Sequence, residues 1–326
     1  LEDKNILEIK NLHVHYITED ETIKAVNGVN LILKQGESLG LVGETGAGKS
    51  TTALSIMQLV PYPPGVIVDG EILFHGRNLL YNTDKENQQM RGNGISMIFQ
   101  DPMTSLNPIM TIGDQLLEVV MTHQKLSKEE GKKKVIELLK VVGVKEDRYN
   151  DYPHQFSGGM KQRVVITMAL LCNPSILIAD EPTTALDVTI QAQVLKIISD
   201  LQQKYNMAMI LITHDLGVVA ETCNRVAIMY AGEIMETGTV EEVYVNAKHP
   251  YTRGLFESIP KMDEESEKLI PIPGSAPNSA DLPTGCFFNP RCKYKQDICS
   301  KESPSMKGEG HQYKCHFSLF EEGESQ

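Results

Sequence analysis

The chain has no apolar run approaching the roughly 18 or more residues that a helix needs to cross a bilayer. Its most apolar stretches, Val164–Cys172 and Ile176–Ala179, are separated by Asn173-Pro174-Ser175 and read as core elements. Leu1-Glu2-Asp3-Lys4 carries no basic region followed by an apolar stretch, so it does not read as a secretory signal, and Leu1 in place of Met points to a trimmed start. The expected compartment is the cytosol, with any membrane role carried by partners. Positive charge is also scarce. Lys and Arg number 31 against 43 Asp and Glu, a net charge of -12. That balance excludes a nucleic-acid binder relying on overall positive charge and leaves only local basic patches open. No fixed-period repeat is found.

What is present suits one large domain or two modest ones: 326 residues, 41% hydrophobic and 23% charged. Ile6–Tyr16 and Lys24–Leu33 read as strands. Ser38–Val42 is a short apolar strand running into a Gly-rich turn and a helix from about Gly48 to Leu59. Pro61–Gly65 is a break, and Ile95–Phe99 is a buried strand. Thr111–Val142 is helical, with apolar residues three and four apart. A further helix follows Ser157 to about Cys172. Ile176–Ala179 and Met209–Thr213 are strands of the parallel-sheet type, with the amphipathic helix Val188–Tyr205 between them. Val226–Glu236 reads as a hairpin around Ala231-Gly232. After about Asn246 Pro and Gly become frequent. Residues 1–245 thus read as an α/β domain with a helical insertion over about 101–170, and 246–326 as a loop-rich tail that needs a staple.

Gly43-Glu44-Thr45-Gly46-Ala47-Gly48-Lys49-Ser50 fits G-x-x-x-x-G-K-[ST] at every fixed position. Glycines let the backbone wrap a phosphate so that N–H groups point inward, and the helix behind presents its positive end to the same anion. Lys49 is expected to reach the β- and γ-phosphates and the Ser50 hydroxyl to bind Mg2+. Thr51 follows on the same helix. The strand Ile176–Ala179 ends in Asp180-Glu181, at the edge where open α/β sheets bind ligands. Asp180 is expected to hold Mg2+. Glu181, pointing to the other side of an extended chain, is expected to polarise the attacking water.

Phe156-Ser157-Gly158-Gly159-Met160-Lys161-Gln162 resembles the signature of the ABC (ATP-binding cassette) ATPases, usually written LSGGQ, with Phe first and Met fifth. Ser157, Gly158, Gly159 and Met160 keep the logic of a capped helix start offered to a phosphate. In the family that phosphate belongs to ATP held by the opposite subunit. The resemblance implies further roles. Tyr16 would stack on adenine, and Gln100 would sense Mg2+ and the attacking water. Ala185-Leu186-Asp187 would form the interface D-loop, and His214 would contact the γ-phosphate. The implied fold is a P-loop NTPase (RecA-like) nucleotide-binding domain with an antiparallel β subdomain and a helical signature subdomain. The implied cycle is closure of two subunits on ATP and opening on hydrolysis, converted by membrane partners into alternating access.

Asp101-Pro102-Met103-Thr104-Ser105-Leu106-Asn107-Pro108 resembles the dipeptide/oligopeptide importer branch. So do His249-Pro250-Tyr251-Thr252-Arg253, Ser258-Ile259-Pro260, Ile272-Pro273-Gly274 and Gly285-Cys286-Phe287-Phe288-Asn289-Pro290-Arg291-Cys292. Nickel importers share this branch. Glu181-Pro182-Thr183-Thr184-Ala185-Leu186-Asp187 is similar to its D-type ATPase. That implies an F-type ATP-binding partner, two transmembrane permease subunits, an extracytoplasmic substrate-binding protein, no nucleic acid, and a place on the cytoplasmic face of the membrane.

Cys286, Cys292, Cys299 and Cys315 are spaced C-x5-C-x6-C-x15-C. In a reducing cytosol such a set marks a metal site more often than a disulfide framework. Four thiolates suit Zn2+ or an iron–sulfur cluster, and the tight pairs of a zinc ribbon are absent. In the branch that the tail resembles, the matching cysteines are associated with a [4Fe-4S] cluster. His311 and His316 read as ordinary surface residues, and Cys172 and Cys223 as buried structural thiols. Two rivals stay open: a soluble ABC ATPase of DNA repair or translation, and a P-loop kinase or GTPase switch, which would leave Ser157–Met160 and His214 unexplained.

Overall fold

The computed structural model describes residues 4–184, 186–258 and 271–317. Ala185 of the expected interface loop, and Ile259 and Pro260 of one tail motif, lie outside the described residues. The strands are β1 (Asn5–Ile17), β2 (Thr22–Lys34), β3 (Ser38–Val42), β4 (Gly65–Phe74), β5 (Arg77–Asn78), β6 (Ile95–Ile98), β7 (Ile176–Asp180), β8 (Ala208–Thr213), β9 (Arg225–Tyr230), β10 (Glu233–Thr239) and β11 (Gln312–Tyr313). The chain forms two compact units. One comprises residues 1–6, 33–38 and 79–212; the other comprises 7–32, 39–78 and 213–326.

In the first unit β6, β7 and β8 run parallel, with Ile95 opposite Ile176 and Ile176 opposite Ala208. All three are buried at every position. Their largely apolar sequences, interrupted only by Ser96 and the terminal Asp180 and Thr213, are what a strand covered on both faces requires. The helical stretch expected over Thr111–Val142 divides into two helices, Ile112–His123 and Lys128–Val141. The second starts at Ser127, whose hydroxyl accepts from the Glu130 N–H while the Glu130 carboxylate accepts from the Ser127 N–H. That reciprocal cap satisfies two otherwise orphaned donors and fixes the break.

In the second unit the strands lie in the order β2-β1-β4-β5, with β1 and β5 each antiparallel to β4. The strand β4 escapes a reading of the sequence because its burial does not alternate: Gly65 and Ile72 alone are buried. β3 pairs in parallel with β9, and β9 and β10 form the expected hairpin around Ala231-Gly232. The tail adds the short helix Pro250–Glu257, a 3-10 turn at Asp297–Ser300, and β11, which pairs with β10. No helix among the described residues is long and apolar enough to cross a membrane.

A buried carboxylate fastens the tail. Glu236 is fully buried and accepts from the Lys248 N–H at 2.7 Å and the His249 N–H at 2.9 Å, and its other contact is His311 Nε2 at 2.6 Å. His311, expected at the surface, is therefore buried, because it supplies the partner this carboxylate needs. His249 is 1% exposed, and its Nδ1 accepts from the Tyr251 N–H, capping the helix Pro250–Glu257. Tyr251 and Phe288 then pack on Tyr230 of β9, with ring centroids 4.6 and 5.4 Å from it.

Burial lowers the His249 pKa from 6.5 to about 4, against the pull of Glu236 and with a small push from Lys314. An unfolded chain takes up this proton near pH 6.5, and the folded one refuses it until about pH 4. The contribution is whole above 6.5 and is lost as pH falls through that window. His249→Asn keeps a capping oxygen without the titration. Its melting temperature, followed by calorimetry, is expected to fall less steeply between those pH values than that of the wild type.

Candidate functional site

The phosphate loop is shaped from behind. β3 is wholly buried and delivers Gly43 against the Met229 carbonyl of β9, where no side chain fits. Gly48 sits at φ 101° with the Ala25 carbonyl at its back, so it needs both the left-handed backbone and the missing Cβ. The Gly232 N–H donates to the Ala47 carbonyl at 2.9 Å. Thr45 and Gly46 are exposed at the turn, and Ser50 is exposed on the first turn of the helix Lys49–Ile56. Lys49 is 8% exposed, and its Nζ donates to the Gly43 and Glu44 carbonyls at 2.7 and 3.0 Å. The ammonium is thus already held at the loop's mouth, on acceptors weaker than a phosphate oxygen. Tyr16, near the end of β1, has its hydroxyl 3.3 Å from Thr51 Oγ1, which brings the expected adenine-stacking residue to the helix of the loop.

Glu44 has partners that its sequence neighbourhood does not suggest. Its N–H donates to the Tyr251 hydroxyl at 3.1 Å. Its two carboxylate oxygens accept from Arg291 Nη1 at 3.1 and 2.9 Å. Only the Asn289-Pro290-Arg291-Cys292 string hinted at Arg291, and the partners stand 247 residues apart.

In the other unit β7 ends in Asp180, 5% exposed. Glu181 does not continue the strand as an extended chain would. It takes φ 45°, and its N–H donates to the Ile212 carbonyl at 2.9 Å. A non-glycine residue in this region is strained and stays there only when its surroundings impose it. The Glu181 carboxylate accepts from Gln100 Nε2 at 3.0 Å and from Thr184 Oγ1 at 2.9 Å. Gln100 and Glu181 are therefore together. Behind them Gln162, fully buried, donates to the Pro182 carbonyl at 2.6 Å and fastens the loop to the helix Gly158–Leu170.

That helix opens at Ser157, whose hydroxyl accepts from the Met160 N–H at 3.4 Å, with Gly158 and Gly159 in its first turn. Phe156, in place of the usual Leu, is 5% exposed and lies beneath the Arg148 guanidinium, 4.7 Å from ring centroid to Cζ. The Asp187 carboxylate caps the helix Val188–Lys204 by accepting from the Ile190 N–H. His214, in the second unit, is exposed directly after β8. The next residue, Asp215, donates its N–H to Thr213 Oγ1 and caps the helix Leu216–Thr222.

The tail cysteines do not form the ready-made metal centre expected of them. Among the described residues no three His, Cys, Asp or Glu side chains are arranged to hold a metal ion. Cys286, Cys292, Cys299 and Cys315 instead share the wall of one cavity of about 270 Å3 with Phe288, Tyr294 and His316. All four are free thiols, as are Cys172 and Cys223. Burial pushes Cys286 up to about 12 and Cys292 up to about 11, and it raises Cys315. The backbone N–H groups of Phe288, Tyr294 and Phe317 pull these three back by bonding to sulfur, while the neighbouring cysteines push them further up.

Residues 26–184 match the family model described as ABC transporter, and 235–299 match that of the oligopeptide/dipeptide transporter C-terminal region. The chain is 52% identical over 304 residues to the oligopeptide transport ATP-binding protein OppD of Bacillus subtilis, covering 92% of this chain and 85% of that one. It is 45% identical over 322 residues to the dipeptide transport ATP-binding protein DppD of Escherichia coli K12, covering 98% of both. Among solved structures, the dimeric post-hydrolysis state of the ATP-binding cassette MJ0796 bound to ADP and Pi matches with TM-score 0.64 and 30% identity over 72% of this chain and 98% of that one. CbiO1 of Clostridium perfringens, part of the ABC transporter complex cbiONQ, matches with TM-score 0.65 and 30% identity over 75% and 92%.

Gly48→Ala puts a methyl group against the Ala25 carbonyl at a positive φ. It is expected to weaken binding of a fluorescent ATP analogue by more than about tenfold, since the loop must open to relieve the clash.

Proposed function

The chain belongs to the ATP-binding subunits of oligopeptide and dipeptide ABC transporters, and we propose that it hydrolyses ATP to drive peptide import through a channel built by other chains. In this reading residues 1–245 are the cassette and 246–326 an appended tail, and the subunit sits peripherally on the cytoplasmic face of the membrane. Gly43–Thr51 take the phosphates, with Lys49 on the β- and γ-groups and Tyr16 against adenine. Ser50, Asp180 and Gln100 serve Mg2+. Glu181 polarises the water, and His214 contacts the γ-phosphate. Ser157–Met160 and Asp187 complete the ATP site of a second, F-type subunit. The reaction asks for positioning and charge stabilisation more than for covalent chemistry.

One observation carries the hydrolytic part: Glu181 is held at φ 45° with its carboxylate gripped by Gln100 and Thr184. A chain that only bound nucleotide would have no use for a strained carboxylate tied to a movable amide. Donors on both sides, Gln100 Nε2 and Thr184 Oγ1, hold it in place. Gln100 would serve Mg2+ when the ion is bound, and Glu181 keeps the carboxylate that would accept a proton from water. Glu181→Gln keeps the shape and removes the base. It is expected to lower ATP turnover by roughly 10²–10⁴-fold while stabilising an ATP-dependent dimer, read by size-exclusion chromatography. A variant that turns over ATP like the wild type would remove Glu181 from this role.

The thiol cavity fits a group larger than one ion. It is walled by four sulfurs, and three of them take backbone N–H bonds, which suit a thiolate bound to a cation. Cys286, Cys292, Cys299 and Cys315 would hold a [4Fe-4S] cluster there, with zinc as the alternative. When bound, such a cluster joins four points of the tail through iron–sulfur bonds. Protein purified without oxygen is expected to contain about four irons per chain. One zinc without iron would replace the cluster, and protein that takes up no metal on reconstitution would leave plain thiols.

A further inference from the structure

We propose that Arg291 is a positioning residue of the nucleotide site: it cancels the charge of Glu44 and sets its orientation, so that the phosphate loop can accept a polyphosphate. The inference rests on the ATP reading above and adds a residue from the tail to it.

Glu44 is the second residue of the loop. A carboxylate is the wrong charge to place where a triphosphate must arrive, and an uncompensated one would repel it. Arg291 removes that charge. Its Nη1 donates to both Glu44 oxygens, at 3.1 and 2.9 Å, and to the Tyr230 hydroxyl at 3.3 Å. Its Nε donates to the Pro273 carbonyl at 2.9 Å. The guanidinium side chain is 7% exposed and the Glu44 side chain 28%, so the cation is fixed and the anion comes to it. Such a pair is not a surface ornament. Removing the buried partner leaves a partly buried carboxylate on the phosphate loop without its cation.

A second contact comes from the same part of the chain. The Tyr251 hydroxyl accepts the Glu44 N–H, and the Tyr251 ring packs on Tyr230 and Phe288. Side chain and main chain of one loop residue are thus both held by residues outside the phosphate motif. Arg291 directly precedes Cys292 of the thiol cavity. A change in that cavity has a path of one peptide bond to the residue that balances the loop.

The experiment measures binding of ATP and AMP, with Mg2+, to the full chain and its variants by isothermal titration. If Arg291 supplies the balancing charge, Arg291→Met weakens ATP by about tenfold and AMP by much less, because the penalty grows with the charge of the ligand. Arg291→Lys keeps the charge and stays within about threefold of the wild type. Glu44→Gln placed on Arg291→Met recovers most of the lost ATP affinity, since no carboxylate is left to balance. Equal losses for ATP and AMP, or a Lys variant as weak as the Met variant, or a double variant without recovery, would each reduce Arg291 to a packing role and overturn the proposal. If Arg291→Met does not fold, the Lys variant alone decides between charge and packing. A wild-type chain that binds no nucleotide overturns both this inference and the ATP reading beneath it.

Discussion

The nucleotide site depends on a turn of bare backbone that must stay open toward an anion while being closed from behind. Open N–H groups invite collapse, because each wants an acceptor. Here the collapse is blocked by parts that stand behind the turn. The Met229 and Ala25 carbonyls lie where side chains of Gly43 and Gly48 would be, and Gly232 reaches the Ala47 carbonyl. Lys49 occupies the mouth by donating to the loop's own carbonyls. None of these supports lies within the motif itself apart from the lysine. They come from β2 and from the hairpin of β9 and β10.

The same division between a simple motif and a remote support recurs at Glu181. Three buried parallel strands bring Asp180 to the end of β7, and one hydrogen bond to the Ile212 carbonyl turns the next residue into the left-handed region. That conformation costs on the order of 1–3 kcal/mol and has to be repaid by its surroundings. Gln100, Thr184 and the buried Gln162 behind the loop are those surroundings. The carboxylate is held by neighbours from three different segments of the chain, which fix its direction without a dedicated scaffold.

The described part of the tail has too little regular structure for a core of its own, yet it is fastened to β9 and β10. Glu236, buried without exposure, gathers two backbone N–H groups and His311, and Tyr251 and Phe288 complete an aromatic cluster on Tyr230. A polar staple inside an apolar surround is costly if any member is missing, because the remaining groups lose their partners together. This staple is made of ordinary side chains and not of the four cysteines expected to supply one. Its position explains why a segment so distant in sequence meets the phosphate loop at Glu44.

Sequence alone determined the family and where its motifs fall on the fold: the phosphate loop, the Asp180-Glu181 strand end, the Ser157 helix start and the largely apolar strands. These are local strings or local periodicities, and short-range sterics and burial write them directly into residue order. It missed a strand and one local cap, and it misplaced what depends on distant partners. β4 carries no alternation, one expected helix is two because Ser127 and Glu130 cap each other, and His311 is buried because Glu236 lies opposite it. Glu181 leaves the extended chain, and four cysteines line a cavity instead of converging on an ion. Tyr251 and Arg291 were visible as letters, but only the folded chain put them on Glu44. A pairing across 247 residues is decided by how elements pack and leaves no periodic trace along the chain.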